Sequence, residues 1–190
     1  MNNENKEMCA KCKGQCCKNM PGQYIPEDLF DHEMTKDELK QFVLDRKNIA
    51  IDCWDGDKDS DYKDYYYLRP MRKIRSEEEY MKSNFLSKDM IDVYKRLYKQ
   101  YKNDFNPIVD YAWTQPAMFI CIHLTENGCD LSYDDRPTCC KELTPDLENG
   151  CYNEHCDAEH SKLYYAKKWS KYNKLLKEIA NEIIMEEYNK

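Results

Sequence analysis

Apolar residues recur along this chain at two spacings, and each spacing predicts a different element. After Thr35 the positions Leu39, Phe42, Val43 and Arg46 fall at helical intervals. Thr35 and Glu38 have the spacing of a capping box, so a helix is expected from about Lys36 to Lys47. From Ile49 to Trp54 the pattern switches to alternation. Ile49, Ile51 and Cys53 share one face, and Ala50, Asp52 and Trp54 share the other, as in a strand. Asp55 to Asp64 is a polar loop, and Tyr65 to Arg69 reads as the returning strand of a hairpin. Helical spacing resumes from Ser76. It strengthens from Ser87 to Lys102, where Ile91, Tyr94, Tyr98 and Tyr101 form a stripe.

The longest helical signal runs from Ser161 to Tyr188. There Tyr165, Trp169, Tyr172, Leu176, Ile179 and Ile183 alternate steps of four and three. At 1.5 Å per residue such a helix is about 40 Å long. Its stripe is expected to pack on the core, with a homodimer seam as the alternative. The N-terminal stretch has no such periodicity. Gly14 and Pro21-Gly22 punctuate a short knuckle, and Pro26-Glu27-Asp28-Leu29-Phe30 opens a short helix.

Composition changes this picture through cysteine. The chain has 190 residues, 11 of them cysteine, with a net charge of −7. Cys9, Cys12, Cys16 and Cys17 form one group. Cys121, Cys129, Cys139, Cys140, Cys151 and Cys156 form another, and Cys53 stands between them. The opening residues are polar, and no run of about 18 apolar residues occurs, so neither a secretory leader nor a membrane span is expected. A cytoplasmic protein is implied. In a reducing compartment an odd number of cysteines is poorly explained by disulfides and points to metal.

The chemistry of the two groups supports that reading. Cys9-Ala10-Lys11-Cys12 lets two thiolates reach one metal, and Cys16 and Cys17 follow directly. A redox dithiol would follow a strand, and no strand signal precedes Cys9. Adjacent side chains diverge, so Cys16 with Cys17, and Cys139 with Cys140, are not expected to share one ion. Either one member of each doublet ligates and the other packs, or there are two centres. Lys11, Lys13, Lys18, Arg136 and Lys141 flank the groups and could offset thiolate charge; otherwise they are surface cations. An imidazole from His123, His155 or His160 could replace one thiolate, although structural roles are the simpler reading. His32 and Cys53 are read as a surface residue and a buried thiol.

The acidic balance argues against a general nucleic-acid binder. The charge is uneven, however: residues 63–102 carry a local excess of positive charge. That basic, tyrosine-rich stretch could serve an adaptor that is stabilised by zinc and binds RNA or protein through residues 62–102. A solvated helix face explains it equally. Asp55-Gly56-Asp57-Lys58-Asp59-Ser60-Asp61 lacks the glycine and the final glutamate of a calcium loop.

Cys9-x2-Cys12-x3-Cys16-Cys17, followed by Ile25-Pro26-Glu27-Asp28-Leu29, resembles the opening of the YkgJ-like cysteine-cluster family, the zinc- or iron-chelating domain. Cys121-Ile122-His123-Leu124, Asn127-Gly128-Cys129 and Arg136-Pro137-Thr138-Cys139-Cys140-Lys141 resemble its second half. On that spacing Cys140, not Cys139, takes the family position. The resemblance implies a metal site, with either zinc or an iron–sulfur cluster such as 4Fe–4S as cofactor. The ligand candidates are Cys9, Cys12, Cys16, Cys17, Cys121, Cys129 and Cys140. Iron–sulfur is favoured because cysteine is abundant and histidine sparse near the groups.

The flagellin lysine N-methylases have a similar CC-containing pattern, which implies as an alternative an S-adenosylmethionine-dependent protein or peptide N-methylase. Those proteins carry a tryptophan shortly after the CC pair, where this chain has Met20-Pro21-Gly22. No catalytic residue, substrate-binding residue or partner can be read from the pattern.

The expected fold is one mainly α domain over 1–190, closed by its two cysteine groups. It has a small β-hairpin and irregular cysteine-rich metal-binding loops. Segments 9–30 and 116–156 carry the metal site, 31–105 is inserted, and 161–188 is an amphipathic helix.

Overall fold

The computed structural model describes residues 22–46, 49–54, 64–73, 76–78, 95–96, 99, 109–110, 119–125, 128–144, 157–158, 160 and 162–188. The architecture is a mixture of helices and small, mostly antiparallel sheets. It is richer in strand pairs than the single hairpin expected from sequence.

A 3-10 turn, Pro26–Asp28, precedes helix α1, Lys36–Asp45. Thr35 and Glu38 close the expected capping box at its start: the Glu38 N–H donates to the Thr35 hydroxyl at 3.4 Å, and the Thr35 N–H donates to the Glu38 carboxylate at 2.9 Å. The helix stops two residues before the expected Lys47, where Arg46 leaves helical geometry (ψ 85°).

Strands β1 (Ala50–Trp54) and β2 (Tyr65–Arg69) form the expected hairpin, in antiparallel register from Ala50↔Arg69 to Trp54↔Tyr65. Strand β4 (Val109–Asp110) adds a parallel pairing on the other edge of β1, so β1 is central and both its edges are paired. Ile51 and Cys53 lie opposite Leu68 and Tyr66 and belong to the apolar core. The other face carries a buried polar cluster. The Asp52 carboxylate accepts from the Tyr67 hydroxyl at 2.8 Å, pairs with Arg69 Nε at 2.9 Å and accepts the Cys53 N–H at 2.8 Å. A buried carboxylate requires such pairing.

The C-terminal stripe does not ride on one helix. Helix α3 would follow α2 (Thr138–Lys141), spans Lys162–Lys168, and is separated by a turn from α4, Asn173–Tyr188. In the turn the bonds shorten to i→i+3: Trp169 N–H to the Ala166 carbonyl, Ser170 to Lys167, and Tyr172 to Trp169. All six stripe residues are nonetheless buried. Trp169, Tyr172, Leu176, Ile179 and Ile183 join Leu39 and Val43 of α1 and the β1–β2 hairpin in one core, so the stripe packs within the chain. A homodimer through this helix would need its other face.

Lysines on α1 meet glutamates on α4 at the surface. Lys36 and Lys40 reach Glu182 at 2.6 and 2.8 Å, and also pair with Glu178 and Glu186. Hydrogen bonds from Lys36, then from Lys40, pull the Glu182 carboxyl down to about 2 from 4.5. A lowered carboxyl stabilises the fold above its unfolded value, and that contribution disappears as pH falls through the folded one. The thermal midpoints of wild type and Glu182→Gln should therefore differ at neutral pH and converge between pH 4.5 and 2. Equal midpoints at every pH would show the pairing to be inert.

Most of the helical signal in 76–102 lies outside the described residues, although positions 77–78, 95–96 and 99 are helical. Of the basic, tyrosine-rich stretch, Tyr66 and Tyr67 are in the core and Arg69 is tied to Asp52. Among the described residues no helix is long and apolar enough to cross a membrane.

Candidate metal centre

The second cysteine group is carried by short elements. Strand β3 (Met71–Lys73) pairs with β5 (Phe119–Cys121), which sets Cys121 opposite Met71, buried. A tight hairpin follows: β6 (Leu124–Thr125) pairs with β7 (Gly128–Cys129), so Cys129 faces Leu124. Gly128 makes this turn possible, because its φ of 97° is one that side chains with a Cβ rarely adopt. The Thr125 hydroxyl donates to the Gly128 carbonyl at 2.8 Å, and the Asp130 N–H donates to His123 O at 2.9 Å. Cys129 is half-buried, and burial pushes its thiol up while buried Arg136 nearby acts against that shift.

The chain then enters α2, a single turn. Arg136-Pro137 precedes it, and the Pro137 carbonyl accepts from Cys140 N–H at 2.8 Å and Lys141 N–H at 3.1 Å. Strands β8 (Leu143–Thr144) and β9 (Asp157–Ala158) pair just beyond it.

The residues that follow the N-terminal cysteines dock directly on this turn. The Gln23 N–H donates to Cys139 Sγ at 2.8 Å, and that thiol donates back to the Gln23 carbonyl at 2.9 Å. The Asp28 carboxylate accepts from the Thr138 N–H at 3.0 Å and from its hydroxyl at 2.7 Å, and it also accepts the Ile25 N–H at 3.0 Å. Behind them, the Tyr24 N–H reaches the Leu68 carbonyl at 3.0 Å, and Trp169 Nε1–H donates to the Tyr24 carbonyl at 2.6 Å. The Tyr24 hydroxyl is pushed up by burial and then by the Cys121 and Cys140 side chains. Cys121 likewise acts on Cys129.

Gly22 lies against the doublet itself. A Cβ at this position would overlap the Cys140 sulfur and approach Cys139 Sγ to 3.3 Å. Gly22→Ala should therefore cost about 1–3 kcal/mol by overpacking, because backbone on one side and a one-turn helix on the other leave little slack. A shift in the urea midpoint at unchanged m would show it, and an unchanged midpoint would mean that the junction is loose.

One expectation needs correction. The two sulfurs of the 139–140 doublet do not diverge but stand 3.9 Å apart. That is close to the separation of two thiolates on one tetrahedral ion, about 3.8 Å for metal–sulfur bonds of ~2.3 Å. Distance alone therefore does not assign the pair.

Cys9, Cys12, Cys16 and Cys17 lie outside the described residues, as do Cys151, Cys156 and His155. Among the described residues, no three His, Cys, Asp or Glu side chains come together as a group that could hold a metal ion. The described part holds three of the expected ligands, Cys121, Cys129 and Cys140, which do not form such a group by themselves, and a close-packed junction at Gly22. Cys53 is buried in the β1–β2 core, as expected.

The histidines have other company. His123 Nδ1 is 3.0 Å from Asp130, and exposed His32 pairs with Asp31. His160 meets Glu142 at 2.9 Å and stacks on Tyr164 at 3.8 Å. The Tyr165 hydroxyl also donates to Glu142. Sequence reasoning missed the roles of Gln23, Asp28 and Thr138. Asp28 and Thr138 were visible within the Ile25–Leu29 and Arg136–Lys141 motifs, but nothing in the sequence paired them. No family model, no curated protein and no solved structure matches the chain.

Proposed function

We propose that this chain is a metal-binding cysteine-cluster protein of the YkgJ-like kind, working in a reducing, cytoplasmic setting. Its ligands are drawn from Cys9, Cys12, Cys16 or Cys17 in the first group and Cys121, Cys129 and Cys140 in the second. An iron–sulfur cluster is favoured over zinc, because the donor set is rich in thiols and the nearby described histidines are engaged with carboxylates. Bound there, an iron–sulfur cluster would supply electron transfer, and zinc would supply a structural cross-link.

The observation that carries the reading is the docking of Gly22 and Gln23 on the Cys139–Cys140 turn. Only five positions separate Gly22 from Cys17, a reach of at most about 18 Å for extended chain. Chain connectivity therefore keeps Cys17 within that reach of the turn. A close-packed junction between the segment that follows the first cysteine group and the turn that carries Cys139 and Cys140 supports a centre shared by the two groups.

The experiment is anaerobic purification followed by metal and sulfide analysis and a visible spectrum. Brown protein with iron and sulfide is the expected result. Colourless protein with stoichiometric zinc would keep the metal site and change its chemistry. Protein free of metal, even after reconstitution with iron and sulfide or with zinc, would overturn the proposal.

A further inference from the structure

We infer that Cys139 and Cys140 form a dithiol site that captures a trivalent arsenical bearing one organic substituent, with the arsenic bridging the two sulfurs in a single adduct. The inference draws on this doublet alone and goes beyond the metal-binding reading.

The two residues are consecutive in α2, and their sulfurs stand 3.9 Å apart. Neither is in a disulfide. Neighbouring side chains usually diverge, but here one sulfur is held in place. Cys139 is buried, accepts the Gln23 N–H at 2.8 Å and donates to the Gln23 carbonyl at 2.9 Å. The Cys140 sulfur lies beside it over Gly22, where a Cβ would overlap Cys140 Sγ and approach Cys139 Sγ to 3.3 Å. The missing side chain at position 22 thus leaves room for both sulfurs. Cys140 is half-buried, so a small reagent meets the pair from its side.

The spacing selects what bridges the pair. A direct disulfide needs sulfurs about 2.0 Å apart and Cα atoms at least about 4.4 Å apart, whereas consecutive Cα atoms across a trans peptide are about 3.8 Å apart. One atom bonded to each sulfur at about 2.3 Å, the length for a thiolate on a soft centre, needs a span of about the size already present. Trivalent arsenic with one carbon substituent has two further positions, and two thiolates fill them. In the capture step each thiol loses its proton and forms an S–As bond. The As=O bond of the organoarsenic oxide breaks, its oxygen leaves with both protons as water, and arsenic stays trivalent throughout. The Gln23 carbonyl loses its donor in this exchange. The second S–As bond offsets that loss, because it closes within one turn of helix at high effective concentration.

The test uses the full chain, reduced and otherwise as purified. A modest excess of phenylarsine oxide is added to the native protein, and N-ethylmaleimide blocks every thiol that arsenic does not hold. Dimercaptopropanol then strips the arsenic, iodoacetamide marks the released thiols, and peptide mass spectrometry locates the marks. Cys139 and Cys140 should both be marked, on the same peptide molecule. In Cys139→Ser the mark at Cys140 should be lost, and in Cys140→Ser the mark at Cys139. Losing one arm of a chelate weakens binding by about 100-fold or more, and the serine hydroxyl of Cys139→Ser can still accept from and donate to Gln23.

Marks on neither residue, or on only one of them, would overturn the inference. So would a mark that persists in both serine variants, since the sulfurs would then bind arsenic independently. Metal and sulfide measured on the same purified sample decide the metal reading separately from each of these outcomes.

Discussion

Replacing Trp169 by alanine should destabilise the fold by about 3–5 kcal/mol, the usual cost of truncating a fully buried tryptophan. Trp169 is 0% exposed. Its ring meets Phe30 at 6.2 Å and Tyr172 at 6.0 Å, both at edge-to-face angles. Such contacts add to the burial of apolar area. The residue also sits in the turn between α3 and α4, and its indole N–H donates to the Tyr24 carbonyl. Alanine would leave both a cavity and an unpaired carbonyl next to the Gln23–Cys139 contact. A domain of this size is stable by about 5–15 kcal/mol, so the variant should lose a large fraction of its stability. Urea unfolding should show a large drop in midpoint, whereas Met185→Ala, at a position 59% exposed, should stay within about 0.5 kcal/mol. Similar midpoints for the two variants would refute the packing described for Trp169.

The second large effect is on metal. The double variant Cys12→Ala/Cys129→Ala removes one thiol from each cysteine group, and metal per chain should fall to a tenth of wild type or less. Cys12 is half of the C-x-x-C step. Cys129 is presented by a hairpin whose shape depends on Gly128. A site that shares ligands between the groups loses two donors at once and cannot be completed from one side. Cys53→Ala is the control: it removes a core sulfur that pairs in register with Tyr66. It should cost some stability and leave the metal content unchanged. Full metal retention in the double variant would remove both cysteines from the ligand set.

The elements that could be read from sequence are those whose information is local. The capping box at Thr35 and Glu38 placed the start of α1, alternation placed β1 to within a residue, and the polar loop after it placed the returning strand β2. The break at 169–172 was hidden for a physical reason. Neither glycine nor proline marks it, and a turn of i→i+3 bonds keeps Trp169 and Tyr172 on the buried side. The steps of four and three thus continue through it. Strands β3 to β9 were missed because pairings two or three residues long leave no periodicity. Some are held by partners far away, as Met71 is by Cys121. In the candidate site, the cysteine groups announced themselves by spacing, and so did Gly22 as a turn residue. Its contact with the Cys140 sulfur, the Asp28–Thr138 bonds and the Gln23–Cys139 latch are tertiary, and no local pattern encodes them.

The bonds at the Gly22 junction close long loops. Asp28 and Thr138 are 110 residues apart, and Gln23 and Cys139 are 116 apart. Closing loops of that length is entropically costly. A metal bound across both ends would add to the hydrogen bonds that close them, so metal loss should loosen the junction at Gly22 before it loosens the core around Trp169.

X-ray absorption at the metal edge of the anaerobically purified protein tests the central claim most directly. The account predicts a first shell of sulfur at about 2.3 Å, and a shell of nitrogen and oxygen at about 2.0–2.1 Å without sulfur would contradict it.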